Sequence, residues 1–263
     1  MSVARQPRGR HERLPARRGA TMDTMSLPLS TPLPACQPRS RECASCSVTQ
    51  LCHPAAALSP ALSARGRRSV RRGEALYRAG DALHNLYLLR AGSMKIRVTN
   101  TAGLEQITAF PVAGSLLGLD AIETGIHTCD AIALEDSVTC ALPYRELEAN
   151  CERNPEAGRQ FHRLIAHDIN HCQRLLLTLG RMTTDERIAS FLVETSEQMA
   201  AHGYSPRQFV LKMTREDIAN HLGMKIETVC RVFSRLQTAS LLHVSKRHLE
   251  ILDVDALRRM SCG

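Results

Sequence analysis

The stretch "LKMTREDIANHLGMKIETVCRVFSRLQ", residues 211–237, predicts two short helices joined by a tight turn. Thr214 is placed to cap the backbone N–H of Asp217, a variant of the capping box that starts a helix. Ala219 leaves room for close helix packing, and Gly223 permits the turn. We expect the apolar side chains to face inward, namely Ile218, Ala219, Leu222, Ile226, Val229, Val232, Phe233 and Leu236. The pattern indicates a helix-turn-helix.

The segment that follows, "LLHVSKRHLEIL", predicts two short strands around Ser245, Lys246 and Arg247, which form a basic wing. Residues 201–263 hold ten Lys/Arg and six Asp/Glu. An ordinary charged surface in contact with solvent would explain this excess of basic residues equally well. Motif, wing and local basicity together indicate binding to double-stranded DNA.

If the second helix enters the major groove, its early outward side chains face the base edges. An arginine suits bidentate bonding to guanine and a glutamate can accept from cytosine, each pair discriminating by roughly 1–3 kcal/mol. The candidate DNA-binding residues are Lys225, Glu227, Thr228, Cys230 and Arg231.

Residues 156–180 predict one long amphipathic helix, capped by Asn154, with Pro155 in its first turn and Gly180 at its end. Packing on its own domain is possible, but so long an apolar stripe favours pairing with a second copy of the chain. Asp168 lies beside the stripe and would meet its mate there, which would keep a dimer marginal. The candidate interface comprises Ile165, Asp168, Ile169, Cys172, Leu176 and Leu179.

Between residues 70 and 143, short alternating segments are punctuated by glycines 73, 80, 92, 103 and 114. This spacing favours an antiparallel roll or sandwich. The predicted fold class is therefore α+β, with a jelly-roll-like β-roll, a long dimerisation helix and a C-terminal winged helix-turn-helix.

A cluster of three cysteines at C-x2-C-x5-C occurs in "RECASCSVTQLCHP", residues 41–54. The sequence has neither a membrane-length apolar run nor a secretory signal, so we expect a cytoplasmic protein with reduced thiols. Such a cluster suggests an iron–sulfur site, a zinc site completed by Cys36 or His53, or a thiol–disulfide switch between Cys43 and Cys46.

The chain resembles the fumarate and nitrate reduction regulator (FNR) branch of the cyclic AMP receptor protein superfamily over about residues 42–255. The motifs that carry the resemblance are "CSVTQLC", "LYRAGD", "LYLLRAGSMK", "EQITAFPVAGSLLGLDAI" and "MTREDIANHLGMKIETVCR". It implies an oxygen-responsive global transcription regulator of anaerobic metabolism genes that binds TTGAT-type inverted repeats as a homodimer. It also implies contact with RNA polymerase, for which the loop Asn100 to Glu105 is a candidate.

The resemblance further implies an oxygen-labile 4Fe-4S cluster held by Cys43, Cys46, Cys52 and Cys140. Cys36 and Cys129 are alternatives to Cys140 that we do not favour. The stretch "GIHTCDAIAL" from Gly125 lacks the Arg-Ser pair of the nucleotide-binding members, so we expect no cyclic nucleotide. Cys230 departs from the branch's E-x-x-S-R pattern, which could loosen base preference.

The predicted domains are a flexible N-terminal extension (1–41), an iron–sulfur ligand arm (42–57), a β-roll sensory domain (58–150), a dimerisation helix (151–182) and the DNA-binding domain (183–263). Translation could start at Met1, Met22 or Met25. The alternative is a regulator of the same superfamily without a cluster, tuned by another ligand, by zinc or by a thiol switch. We predict no enzymatic activity, because no nucleophile–base pairing or Gly-rich phosphate loop is evident.

Overall fold

The computed structural model describes residues 66–261. The predicted extension and arm, with Cys36, Cys43, Cys46, Cys52 and His53, lie outside the described residues. None of the helices that the model describes is long and apolar enough to cross a membrane. The first eight strands are β1 (Arg67–Val70), β2 (Ala75–Tyr77), β3 (Asn85–Ala91), β4 (Met94–Thr99), β5 (Glu105–Ala109), β6 (Leu116–Leu117), β7 (Asp130–Ala133) and β8 (Ser137–Pro143).

These eight strands form the predicted antiparallel roll. They build two four-stranded sheets, in the orders β1-β8-β3-β6 and β2-β7-β4-β5. Gly92 makes the tight connection between β3 and β4 with a φ of 93°, and a Cβ there would overlap the Ser137 side chain. The buried cluster inside the roll consists of Val70, Leu76, Tyr77, Leu89, Met94, Leu117, Cys129, Ala131 and Ala133.

Two helices, α1 (Tyr144–Arg153) and α2 (Pro155–Arg181), follow the roll. Asn154 caps α2 as predicted, because its side chain accepts from the backbone N–H groups of the first turn. The prediction that Gly180 ends the helix was wrong: Gly180 lies inside the last turn, and the chain leaves the helix at Met182, which is extended. The result is a helix of 27 residues.

The C-terminal part forms the winged helix-turn-helix. Its elements are α3 (Thr184–Ala201), β9 (Gln208–Val210), α4 (Arg215–His221), α5 (Ile226–Thr238), β10 (Leu242–Ser245), β11 (His248–Ile251) and α6 (Val254–Ser261). The predicted wing strands β10 and β11 pair, and β9 adds a third strand beside β11. The buried core of this part also includes Ile107, Phe110 and Leu134 from the roll, so the roll and the DNA-binding part share one apolar cluster.

Candidate DNA-binding surface and sensory site

The helix-turn-helix begins with the predicted capping box. The Asp217 N–H donates to Thr214 Oγ1 at 3.0 Å, and the Asp217 carboxylate accepts from the Thr214 N–H at 2.9 Å. Gly223 forms the turn with a φ of 60°, and a Cβ there would press on Leu179 of α2 at 3.3 Å. The turn therefore requires glycine for both its backbone conformation and its close contact with the long helix.

The recognition face of α5 points away from the core. Lys225 precedes the helix as its N-cap, and Lys225, Glu227, Cys230 and Arg231 are exposed, whereas Thr228 is half-buried. The Arg231 guanidinium donates to Thr228 Oγ1 at 3.3 Å. These five side chains share one open surface.

Ile226 departs from the predicted inward set of the recognition helix. It is 42% exposed, whereas Val229, Val232, Phe233 and Leu236 are buried. Ile226 opens the helix, one turn before the first residue that reaches the core, so its side chain has no core beneath it. The inward prediction was wrong for this residue alone.

Two arginines that sequence reasoning missed support the motif. The Arg215 guanidinium lies 3.5 Å from the Phe233 ring centroid, a cation–π contact that holds α4 on α5. Arg187 of α3 donates to the carbonyls of Leu179 and Leu222, each at 2.9 Å. Arg187 thus joins the end of α2 to the turn of the motif. The sequence shows only a basic residue on an amphipathic helix in each case.

The long helix α2 keeps much of its predicted interface open. Ile169 and Leu176 are 52% and 70% exposed, Cys172 and Asp168 are exposed, and Ile165 and Leu179 are half-buried. Partial burial, together with the Asp120 carboxylate, raises the pKa of Asp168. A row of uncovered apolar side chains on one helix is typical of a surface that contacts another molecule.

Cys140 lies on β8, the strand between β1 and β3. It belongs to a buried apolar cluster between this sheet and the helices α1 and α2, together with Leu86, Leu88, Leu116, Leu142, Leu147 and Ala157. Arg67, the first residue of β1, is the strand partner of Cys140. β1 therefore begins beside this cysteine. Within residues 66–261, no group of three or more potential metal ligands comes together.

Cys129, the alternative to Cys140, has a different environment. It is buried inside the roll, where burial first and the Asp120 carboxylate second raise the pKa of its thiol. This environment disfavours the thiolate form in which a cysteine binds a metal. Its surroundings therefore suit it poorly as a ligand.

A cavity of about 350 Å³ lies between the roll and α2. Its lining includes the carboxylates of Asp120 and Asp168, and no arginine or lysine of the described residues lines it. Nearby, the His127 ring stacks on Tyr77 with centroids 3.9 Å apart, and the Thr128 N–H donates to Asp120 at 2.8 Å. Thr128 of the stretch that begins at Gly125 thus holds a carboxylate of the cavity, and the basic side chains that line the cavity are His167, His171 and His202.

Comparison with known proteins matches both parts of the chain. Residues 67–154 match the model of the cyclic nucleotide-binding domain, and residues 186–260 match the Crp-like helix-turn-helix domain. The solved structure of FixK2 from Bradyrhizobium japonicum is similar with a TM-score of 0.68 and 28% identity, covering 75% of this chain and 97% of that one.

Curated relatives extend the match over most of the chain. The fumarate and nitrate reduction regulatory protein of Escherichia coli K12 is 36% identical over 224 residues, which are 83% of this chain and 90% of the relative. The transcriptional regulatory protein btr of Bordetella pertussis is 34% identical over 85% of this chain and 94% of its own length. With this extent of identity, on a β-roll joined to a winged helix-turn-helix, the chain belongs to the fumarate and nitrate reduction regulator family of transcription regulators.

Proposed function

We propose that this regulator responds to oxygen and, as a homodimer in the cytoplasm, binds inverted repeats with TTGAT-type half-sites to control genes of anaerobic metabolism. The observation that carries the proposal is the exposed face of α5, which presents Glu227 and Arg231 together on a chain of this family. Glu227 suits a cytosine amino group and Arg231 suits guanine O6 and N7. Lys246 and Arg247 on the wing lie in the turn between β10 and β11 and suit backbone phosphates.

For the sensory site, we propose that Cys43, Cys46, Cys52 and Cys140 hold a 4Fe-4S cluster. Cys140 fits this role in donor chemistry, because a cysteine thiolate is the soft ligand that suits iron–sulfur clusters. Fifteen residue steps separate Cys52 from Arg67, the strand partner of Cys140, a stretch that spans at most about 50 Å when extended. The arm has ample length to bring its cysteines to Cys140. When bound, the cluster supplies an oxygen-labile crosslink between arm and roll.

Cys140 also has a direct physical route to the dimer helix. It shares its buried cluster with Leu147 of α1 and Ala157 of α2. Fixing the arm at Cys140 would therefore brace the start of α2, and its release would loosen the same packing. Because the interface of α2 contains Asp168, a coupling of a few kcal/mol, on the order of 1–3, suffices to shift a marginal dimer.

The proposal includes contact with RNA polymerase through the loop Asn100 to Glu105. This loop joins β4 to β5, and the Asn100 side chain orders it by accepting from the N–H groups of Ala102 and Leu104, each at 2.9 Å. Leu104, the last loop residue before β5, is 70% exposed. A loop that is already ordered loses less entropy when a protein partner binds it. The carboxylates of the roll cavity support the expectation that no cyclic nucleotide binds there.

The test is anaerobic purification followed by iron and sulfide analysis, visible absorbance, and binding to an inverted repeat before and after exposure to air. We expect about four iron atoms per chain and binding that air abolishes. A colourless protein with stoichiometric zinc, or DNA binding unaffected by air, would refute the oxygen sensor and favour the regulator without a cluster. If the protein bound the inverted repeat no better than unrelated DNA, the proposed recognition of inverted repeats would be refuted.

A further inference from the structure

The outer strand of one roll sheet is covered by the DNA-binding part rather than by another strand. β5 is the edge of the sheet β2-β7-β4-β5 and pairs with β4 on one side only. On its other side, the backbone groups of Glu105 and Ile107 would remain without partners. The end of α4 lies against this side, and we call its contacts with the roll the roll seam, comprising Lys95, Glu105, Gln106 and Ile107 with Asp217, Asn220 and His221.

At the centre of the roll seam, the Asn220 side chain makes the hydrogen bonds that a neighbouring strand would otherwise make with β5. Its side-chain oxygen accepts from the Ile107 N–H at 2.5 Å, and its side-chain nitrogen donates to the Glu105 carbonyl at 2.9 Å. His221 Nδ1 donates to the Ile107 carbonyl at 3.0 Å. A carboxamide has one acceptor and one donor group in the arrangement that a backbone edge requires. Two side chains thus satisfy three backbone groups of the edge.

Further contacts surround this centre. Gln106 Nε2 donates back to the Asn220 carbonyl at 2.7 Å, and Lys95 Nζ lies 2.6 Å from Asp217. Asp217 completes the capping box in the first turn of α4, so the roll holds the helix at its start as well as at its end. Hydrogen bonds in a partly buried seam are costly to leave unmade. The seam therefore defines one orientation of α4 on the roll.

The roll seam leaves the recognition face free. Asn220 precedes the start of α5 by six residues, and Glu227 and Arg231 are exposed while the seam is closed. The orientation that Asn220 fixes is consequently one that can meet DNA. In a homodimer, the separation and relative rotation of two recognition helices then depend on two copies of the seam.

We propose that Asn220 is a positioning residue that sets which half-site spacing the dimer accepts. Half-sites one helical turn apart, about 10–10.5 base pairs, are matched only when both recognition helices are held at one angle. Without Asn220 the shared apolar cluster would still join the DNA-binding part to the roll. The two hydrogen bonds that align α4 with the edge of β5 would be lost, so the two helices would accept other spacings more readily. Asn220 would thus act on specificity without touching DNA. This inference rests on the proposed DNA-binding function.

The experiment compares the anaerobic full chain, Asn220→Ala and the control Gln208→Ala on three DNA probes. Gln208 is a carboxamide of the same part of the molecule that bonds to Glu250 on the neighbouring strand rather than to the roll. The probes are an inverted repeat with the spacing that the unaltered protein prefers, the same repeat with one base pair added, and a single half-site. Fluorescence anisotropy gives the affinities.

We expect Asn220→Ala to keep its half-site affinity within about twofold, while its preference for the optimal over the altered spacing falls about fivefold. This is less than the full value of the two hydrogen bonds that the variant loses, because the rest of the seam remains. Gln208→Ala should keep the full preference. Equal loss of affinity for all three probes, or an unchanged spacing preference, would overturn the inference. If the unaltered protein shows no preference for the inverted repeat, the proposed function fails instead.

Hydrogen exchange supplies a readout that does not depend on DNA. In Asn220→Ala the Ile107 amide should lose protection, while the Gln106 amide, on the side of β5 that faces β4, should retain it. Retained protection at Ile107 would show that Asn220 does not close the seam.

Discussion

The His171 ring on α2 lies with Nδ1 2.9 Å from Glu194 Oε1 on α3, so an ionisable pair joins the dimer helix to the DNA-binding part. The hydrogen bond to Glu194 raises the pKa of His171, with smaller contributions from the Glu194 charge and the Thr108 carbonyl, against burial and Arg174. His171 in turn lowers the pKa of Glu194 despite burial. Nearby on α4, burial lowers the pKa of His221.

These shifts predict opposite pH dependences for two histidine variants. His171 contributes stability that is full below its unfolded pKa of 6.5 and is lost as pH rises through the higher folded value. His171→Gln should therefore reduce the free energy of unfolding more at pH 6 than at pH 8.5. Urea unfolding at the two pH values measures this difference.

For His221 the sign reverses, because its folded pKa lies below the unfolded value of 6.5. Its contribution is full above that value and falls as pH drops through it. His221→Gln should differ from the unaltered protein more at pH 8.5 than at pH 6. If the loss of unfolding free energy changed with pH in the same direction for both variants, the pKa values of His171 and His221 would not be shifted in opposite directions.

Replacement of the recognition-helix arginine should remove base discrimination. Arg231→Ala should weaken binding to the inverted repeat by about 1–3 kcal/mol, roughly 5- to 150-fold, with a much smaller effect on non-specific DNA. Arg235→Ala is the matched control, since Arg235 on the same helix is paired with Asp185 of α3. Anisotropy titrations on specific and scrambled duplexes measure both. Equal losses on the two duplexes would mean that Arg231 contacts phosphate alone.

The two buried roll cysteines should differ in their effect on iron content. Cys140→Ser removes a thiolate ligand and should abolish the cluster, whereas Cys129→Ser should keep it, because Cys129 lies inside the roll beside Asp120. Iron and sulfide analysis of anaerobically purified protein measures this. Iron retained by Cys140→Ser and lost by Cys129→Ser would reverse the ligand assignment.

A charge on the exposed stripe of α2 should separate the dimer. Leu176→Glu places a carboxylate in the expected interface, and anaerobic sedimentation should then show a monomer that still holds iron. Leu104→Glu is the control, because Leu104 is equally exposed but lies on the β4–β5 loop. A monomer produced by the control, or a dimer that persists in the Leu176→Glu variant, would direct attention to another interface.

Local signals made much of the fold predictable. The T-x-x-D cap, the turn glycine and the apolar spacing each act within a few residues, and the helix-turn-helix follows from them. The helices α1 and α6 and the strand β9 were not predicted, because their boundaries depend on packing against the rest of the chain. The helix α3 was missed although Thr183 and Glu186 form a local capping box at its start. Ile226 was misassigned for a related reason, since periodicity does not show where a core ends.

The contacts that organise the site were beyond prediction from one sequence. Asn220 meets Ile107 across a separation of 113 residues, and Arg187 meets Leu222 across 35. Asparagine before a helix end and arginine on an amphipathic helix are ordinary residues at such places. Only folding brings them to the backbone groups that they satisfy. The proposed partners of Cys140 lie outside the described residues, so the ligand set stays a prediction.

The covered edge of β5 has a consequence for solubility as well as for recognition. A bare sheet edge is a template on which the strand of another molecule can add, and repeated addition leads to aggregation. Asn220 and His221 occupy the positions that such an incoming strand would take. A fragment that ends after α2 would leave this template uncovered, and we expect it to precipitate at concentrations at which the whole chain stays dissolved.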